Sequence, residues 1–380
     1  MKKIMLIGRQ LSSGGAEKVM AQLSIELSRL YPVVIVVFNG TRIDYLFEGE
    51  LIDLKSTLKP NIVAKLIGNF HRIRRIKTLK KSHQITHTIS FTTTPNIVNV
   101  LSKTHDQVIT SIRNYDTDQD THNRFKKWYM KRIYQHSDHV VAVSKRIAQK
   151  TTTQYDLNPK NIHVIYNPIQ PELLNLKTKD KPSLNVPHLI HVGRFTKQKN
   201  HLNLLKIMTL IKQSVPQIQL TLLGEGPLEA DIMEYIQKHD LINHVHCPGF
   251  VQHPEDYLAQ AHIFVFPSLY EGFPNALLEA MACRLPVIAS DCASGPREIL
   301  APNTDINYQT QTIDYADYGM LMPVPLEEKT IEIWAQAIIN MITDTDLKTH
   351  YSLQAYQRAQ DFNTINNVKA WTHLFEIVNK

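Results

Sequence analysis

Cysteine is scarce. The 380 residues hold three, Cys247, Cys283 and Cys292, with no C-x-x-C pair and no spacing that would gather metal ligands. This speaks against a disulfide scaffold, and the three read as packing residues of a chain made in a reducing compartment. Long apolar runs are missing too. The longest strongly apolar stretch, Val33 to Phe38, falls far short of the roughly 18 residues of a membrane-spanning helix. The start MKKIMLIG passes at once into RQLSSGGAEK, too soon for a signal-peptide core, so a soluble or membrane-peripheral protein is expected. Internal repeats and low-complexity tracts are absent. What is present, 43% hydrophobic and 20% charged residues, is enough to bury the cores of two or three domains.

The charge is divided unevenly. Residues 1–170 carry 26 cationic and 12 anionic side chains, a balance of +14, whereas residues 171–380 carry 16 and 23, a balance of −7. Such a split points to two domains with different partners, the first facing something anionic.

Short β-rich apolar runs alternate with stretches of helical period: Lys3–Gly8, Ala16–Leu30, Val33–Phe38, Ile85–Phe91, Val108–Ile112 and His139–Ser144. That is the βαβ pattern of a parallel sheet covered by helices on both faces. Around Asn167 to Pro187 the pattern yields to NPIQPELLNLKTKDKPSLNVP, which is rich in proline and lysine and reads as a linker. A second alternation follows: strand His188–Val192, helix His201–Ser214, strand Gln219–Leu223, helix Leu228–Lys238, and strands His244–Cys247 and His262–Phe266. Helix Asn275–Cys283, strand Pro286–Ser290 and helices from Glu327 onward complete it. The expected architecture is α/β, with two doubly wound, Rossmann-like domains in series. Their carboxyl strand ends would face one cleft.

Five loops carry chemistry. Gly14 and Gly15 follow the first strand and open a helix, where backbone N–H groups and the helix dipole favour an anion. A mere tight turn is the competing reading, and neither a G-x-G-x-x-G nor a Walker loop is present. The second domain opens with Gly193-Arg194-Phe195-Thr196-Lys197-Gln198-Lys199. There a planar bidentate donor, Arg194, and a point charge, Lys199, emerge at a strand end suited to a diphosphate. Gly224 in LLGEGP repeats the strand-glycine-helix device, and Phe250 and Val251 in PGFV offer backbone for a nucleobase. The fifth loop is the most specific: FPSLYEGFPNALLEAMA places Glu271 before a helix and Glu279 within it, eight residues on. A carboxylate amid Ala, Leu and Met requires hydrogen-bond donors, which vicinal sugar hydroxyls supply.

Glu271 and Glu279 reproduce an E-x(7)-E motif, accompanied in order by GGAEK, VGRFTKQKN, LLGEGPLE and PGFVQ. The chain thereby resembles glycosyltransferase family 4, the retaining nucleotide-sugar transferases of GT-B fold, over nearly its whole length. The resemblance implies that Arg194 and Lys199 bind the donor diphosphate, that Glu279 accepts the ribose hydroxyls, and that Glu271 contacts the sugar. Gly272, Phe273, Pro274 and Asn275 line the pocket, and Gly14 and Gly15 meet the phosphates from the other domain. It also implies an acceptor-binding domain over 1–168, a donor-binding domain over 169–361, and a C-terminal helix, 362–380, crossing back to the first. DCASGPREIL is similar to members that add hexoses or N-acetylhexosamines to lipid-linked oligosaccharides. One departure is visible: where many members carry a histidine near the sugar, VITSIRNYD offers Arg113 and Asn114, and that assignment is open.

Expected function is therefore retaining transfer of a hexose or N-acetylhexosamine from a UDP-sugar to a lipid-linked glycan at the cytoplasmic membrane surface. Arg194, Lys199 and backbone donors supply the field for the leaving diphosphate, with no essential metal or other cofactor. The D-x-D sequences Asp116–Asp120 and Asp344–Asp346 lack the Gly and Glu that a calcium loop needs or stand alone. A nucleotide-sugar epimerase or hydrolase of the same fold is the alternative, and a non-catalytic sugar-nucleotide binder a third. The segment AKLIGNFHRIRRIKTLKKS carries Arg72, Arg74, Arg75, Lys80 and Lys81, and Leu66, Phe70, Ile73 and Ile76 share an arc of about 120°. It reads either as a helix on anionic lipid or a lipid-linked diphosphate, or as a core-packed helix with a solvated cationic face. No nucleic-acid motif accompanies the charge.

Overall fold

The computed structural model describes residues 1–12, 14–56, 62–115, 124–174 and 186–377. They form two compact units, 1–168 with 364–380, and 169–363.

The first unit is a parallel sheet of seven strands: β1 (Ile4–Gly8), β2 (Val33–Val37), β3 (Glu50–Asp53), β4 (His87–Phe91), β5 (Gln107–Ile112), β6 (His139–Ala142) and β7 (Ile162–Val164). Their order is β3-β2-β1-β4-β5-β6-β7. Successive strand residues point to opposite faces. Ile4, Leu6, Ile35 and Val37 meet one helical layer, while Met5, Ile7, Val34 and Val36 meet another through Ile76 and Val98. Burial on both faces is why β1 and β2 read as unbroken apolar runs. The last helix, Thr364–Leu374, belongs to this unit. Trp371 is buried against Phe91 with ring centroids 6.2 Å apart. Asn367 donates to the Tyr166 carbonyl at 2.6 Å, and Gln107 donates to that of Ile377 at 2.7 Å.

The second unit repeats the plan with β8 (His188–Val192), β9 (Gln219–Leu223), β10 (Val245–Gly249), β11 (Ile263–Phe266), β12 (Val287–Ser290), β13 (Asp314–Ala316) and β14 (Gly319–Met322). The order is β10-β9-β8-β11-β12-β14-β13, parallel except for the β13–β14 hairpin. Helices His201–Ser214 and Glu328–Thr343 cover one face. Between them and the sheet lies fully buried Trp334, whose indole N–H reaches the Pro323 carbonyl at 2.7 Å. Four strands were not anticipated: β3, β7, β13 and β14. Of these β3, β7 and β13 are sheet edges of three or four residues with half-exposed side chains, so neither length nor alternation marks them.

Candidate active site

In the second unit the strand order reverses between β8 and β11, so the loops leaving their carboxyl ends stand side by side, the usual ligand position of an open α/β sheet. Main-chain bonds hold these loops in place. Gly193 N–H donates to Leu223, Phe195 N–H to Glu225 and Gly224 N–H to Gly249, each at 2.9 Å, and Leu269 N–H to Gln198 at 2.8 Å. The approach is so close that a Cβ on Gly224, at φ +142°, would stand 2.2 Å from the Gly193 carbonyl oxygen. Only glycine satisfies both demands there.

This frame brings Lys199 to Glu271. The ammonium Nζ donates to Oε1 at 2.6 Å, with side chains 17% and 8% exposed, and lies 4.9 Å from the centre of the Phe266 ring. Lys199 ends a short 3₁₀ turn, Lys197–Lys199. Asn200, at φ +58°, then turns the chain into helix His201–Ser214 and donates to the carbonyls of Pro267 and Pro325 at 3.2 Å. Arg194 sits on the same loop, exposed to solvent. The two cations expected together thus leave one strand end, one paired and one open to a ligand.

Gly272 follows Glu271, and its carbonyl accepts from Ser294 Oγ at 2.9 Å. Gly295, at φ +92°, lets the loop after β12 pass so close that a Cβ would meet Pro274 Cδ at 2.6 Å. Phe273 and Pro274 are buried, Phe273 edge-on to Phe362 at 5.4 Å. Helix Asn275–Ala282 begins next, and Glu279 lies on it, only 9% exposed among Leu277, Leu278 and Met281. Phe250 and Val251 leave the end of β10 as expected, Phe250 exposed. Ser294→Ala removes the tie on Gly272; the expected result is a stability loss of about 1 kcal/mol by denaturant titration, with a several-fold rise in donor Kd.

Sequence reasoning missed the support beneath this loop. Asp291, at the end of β12, takes three guanidinium bonds from Arg297, two of them at 3.1 Å from Nε. Arg297 also donates to Asp314 and Thr304, both at 3.0 Å. His191 donates from Nδ1 to the Val265 carbonyl at 2.8 Å, which leaves its other nitrogen directly under Gly193. His201 meets it edge-on at 4.8 Å. Burial first, and Lys199 second, lower the His201 pKa to about 3; burial and His201 push His191 well below its ordinary value. Both rings are neutral props. The available signal for His191 was an imidazole directly after the apolar pair Leu189-Ile190 of a short strand. Burial raises the thiols of Cys247 to about 11 and Cys292 to about 12, so neither acts as a nucleophile at neutral pH.

In the first unit, Gly14 precedes helix Gly15–Ser28. The Glu17 carboxylate folds back to within 2.1 Å of where a Gly14 Cβ would lie, so a carboxylate already stands at this positive helix end. Arg113, at the end of β5, is buried: it donates to Ser111 Oγ at 3.3 Å and to Asn167 and packs on Phe91, while Asn114 is exposed. Burial lowers the Arg113 pKa to about 10, opposed by Glu17.

Helix Ile62–Ser82 corrects part of the expected basic ridge. Arg72 turns inward, bonding Ser56 Oγ and Asn69 at 2.9 Å under the Phe38 ring. Lys80 is fully buried, 2.8 Å from both Asp106 and the Asn99 side chain. Burial holds its pKa down at about 8 despite Asp106. A charge that costs this much to desolvate is retained only when paired. Neither residue faces an external anion, whereas Arg74, Arg75 and Lys81 are exposed. Phe70 is exposed as well, although the expected apolar arc includes it. The Asp116–Asp120 sequence lies outside the described residues. Asp344 caps helix Thr345–Ala359 by accepting from Leu347 N–H at 2.9 Å. Among the described residues no three or more His, Cys, Asp or Glu side chains are grouped to hold a metal, and no helix is long and apolar enough to cross a membrane.

Comparison with known proteins follows the two units. Residues 13–173 match the family described as Glycosyltransferase Family 4, and residues 175–318 the family described as Glycosyl transferases group 1. An uncharacterized glycosyltransferase of Methanocaldococcus jannaschii is 36% identical over 202 residues, 49% of this chain and 49% of that protein. The Campylobacter jejuni N-acetylgalactosamine-N,N'-diacetylbacillosaminyl-diphospho-undecaprenol 4-alpha-N-acetylgalactosaminyltransferase is 26% identical over 374 residues, 96% of this chain and 97% of that one. Among solved structures, Anabaena HepE in complex with UDP superposes with a TM-score of 0.77 at 17% identity, covering 99% of both chains.

Proposed function

The chain is a glycosyltransferase with the GT-B fold, and we propose that it moves a hexose or N-acetylhexosamine from a UDP-sugar to a lipid-linked glycan, with retention of anomeric configuration. The observation that carries this reading is the Lys199–Glu271 pair at the strand reversal of the second unit, with Arg194 on the same loop and Glu279 buried one helix away. A diphosphate needs cations at that edge and a sugar needs buried acceptors for its hydroxyls. The UDP in the HepE structure and the diphospho-undecaprenol in the name of the Campylobacter relative support donor and acceptor class.

In this proposal Arg194 grips the diphosphate as a planar fork and Lys199 as a point charge. Glu279 accepts from the ribose hydroxyls, and Gly224, Phe250 and Val251 meet the base. Glu271 receives hydroxyls of the transferred sugar, which rests on Gly272, Phe273, Pro274 and Asn275. The bond from the anomeric carbon to the diphosphate oxygen breaks as the acceptor oxygen bonds to the same face of that carbon. The acceptor proton passes to the departing phosphate oxygen. Negative charge grows on the leaving group, and the two cations at this strand end stabilise it. The residues suffice without a metal, and the enzyme works at the inner face of the cell membrane.

The test is incubation with a panel of nucleotide sugars and a lipid-linked acceptor, with NMR of the product and assay of released nucleotide. The expected outcome is acceptor-dependent release, an anomeric configuration equal to the donor's, and a rate unchanged by EDTA. An inverted product defeats retention, turnover without acceptor points to a hydrolase or epimerase, and loss of rate in EDTA defeats the metal-free reading.

A further inference from the structure

Helix Arg124–Gln135, RFKKWYMKRIYQ, carries five cations and no acid. Its inner face is Met130, Ile133 and Tyr134. Its first turns place two large aromatics outside: Phe125 is 72% and Trp128 54% exposed, with ring centroids 5.9 Å apart. Arg132 lies over the Trp128 ring at 5.9 Å. Helix Ile62–Ser82 repeats the arrangement, with Ile67 and Phe70 exposed and Arg74 over the Phe70 ring at 5.6 Å.

Topology brings the two sets to one edge. The first helix leads from β5 to β6 and the second from β3 to β4, all parallel strands, so both run antiparallel to the sheet. Each packs on helix Thr93–Leu101 between them. Their amino-terminal turns therefore point to the carboxyl edge of the same face. The 21-residue helix spans about 31 Å beside five-residue strands of about 17 Å. Its first turns consequently overshoot the sheet, and there Ile67 and Phe70 are about half exposed.

We propose that this edge of the first unit docks on an anionic lipid bilayer, with Phe125 and Trp128 entering the headgroup region and the arginines and lysines meeting lipid phosphates. Aromatic rings with cationic neighbours match that layered boundary, where the ring leaves water and the charge stays at the phosphates. A nucleic-acid partner would use the charge but gives no hydrocarbon for Ile67. The inference deepens, and rests on, the membrane-surface part of the proposed function.

Tryptophan emission tests it directly, because Trp334 and Trp371 are fully buried and Trp128 is the exposed one of three. The full chain is titrated with vesicles of phosphatidylcholine and phosphatidylglycerol, or of phosphatidylcholine alone. Expected is a blue shift, quenching by brominated acyl chains, and co-flotation only with the anionic vesicles, weakened by salt. Phe125→Ser with Trp128→Ser lowers vesicle partitioning at least about tenfold, or about 1.4 kcal/mol. Its melting temperature and its transfer to a soluble acceptor analogue stay unchanged. Flotation that leaves Trp128 emission and the double variant unaffected overturns this surface while leaving membrane association standing. No anionic-vesicle binding overturns both, and an emission change with an oligonucleotide but not with vesicles assigns the patch to another partner. Transfer to the soluble acceptor is read separately, so its failure counts against the catalytic reading alone.

Discussion

Lys199→Ala lowers kcat/KM for transfer by about 10²–10³, most of it in kcat, when acceptor-dependent nucleotide release is measured. Removing one preorganised donor from a developing oxyanion costs about 2.7–4 kcal/mol, and a contact that strengthens as the diphosphate leaves acts on the transition state more than on binding. The same substitution strips Glu271 of its cation at 2.6 Å, and a buried carboxylate left alone destabilises the fold. The two effects separate in a double variant. Lys199→Ala with Glu271→Gln recovers melting temperature because no lone charge remains, yet regains no activity. A variant with intact fold and less than tenfold loss would remove Lys199 from the mechanism.

Arg297→Ala is expected to cost about 3–5 kcal/mol of stability, the range for breaking a buried ion pair. In a unit of this size that is roughly a 10 °C fall in its unfolding midpoint by calorimetry. Arg297 and Asp291 are 4% and 1% exposed at the side chain. Asp291 also accepts from Thr310 N–H at 2.7 Å, and its own N–H donates to Met322 at 2.7 Å. Two carboxylates, Asp291 and Asp314, lose their common partner. Arg297→Lys recovers little, since a point charge cannot span Asp291, Asp314 and Thr304 at once. A change below 1 kcal/mol would show that the network is dispensable.

The sequence made the layers legible because buried strands and amphipathic helices leave periodic signals. His188–Val192, His201–Ser214 and Gln219–Leu223 have the observed limits to the residue. The glycine loops were legible too, since their spacing relative to the strands is itself the signal. Helix Ile62–Ser82 shows where the reading stops. Its inward line runs through Arg72, Ile76 and Lys80, four residues apart, so two cations occupy core positions that hydropathy assigns to solvent. Only the partners, Ser56 and Asn69 for one and Asp106 and Asn99 for the other, make that burial tolerable, and all but Asn69, which lies on the same helix, come from elsewhere in the chain. The bonds from Arg297 to Asp314 and from His191 to Val265 were hidden for the same reason.

The loops around Lys199 are laced together through main-chain N–H and carbonyl groups, and only proline lacks the first of these. Side chains at Glu225, Phe250 or Val251 can therefore be exchanged during descent without unmaking the frame that carries them. A scaffold of this kind separates inheritance of reaction chemistry from drift in ligand preference, and related chains can diverge in the molecules they accept while keeping one machine.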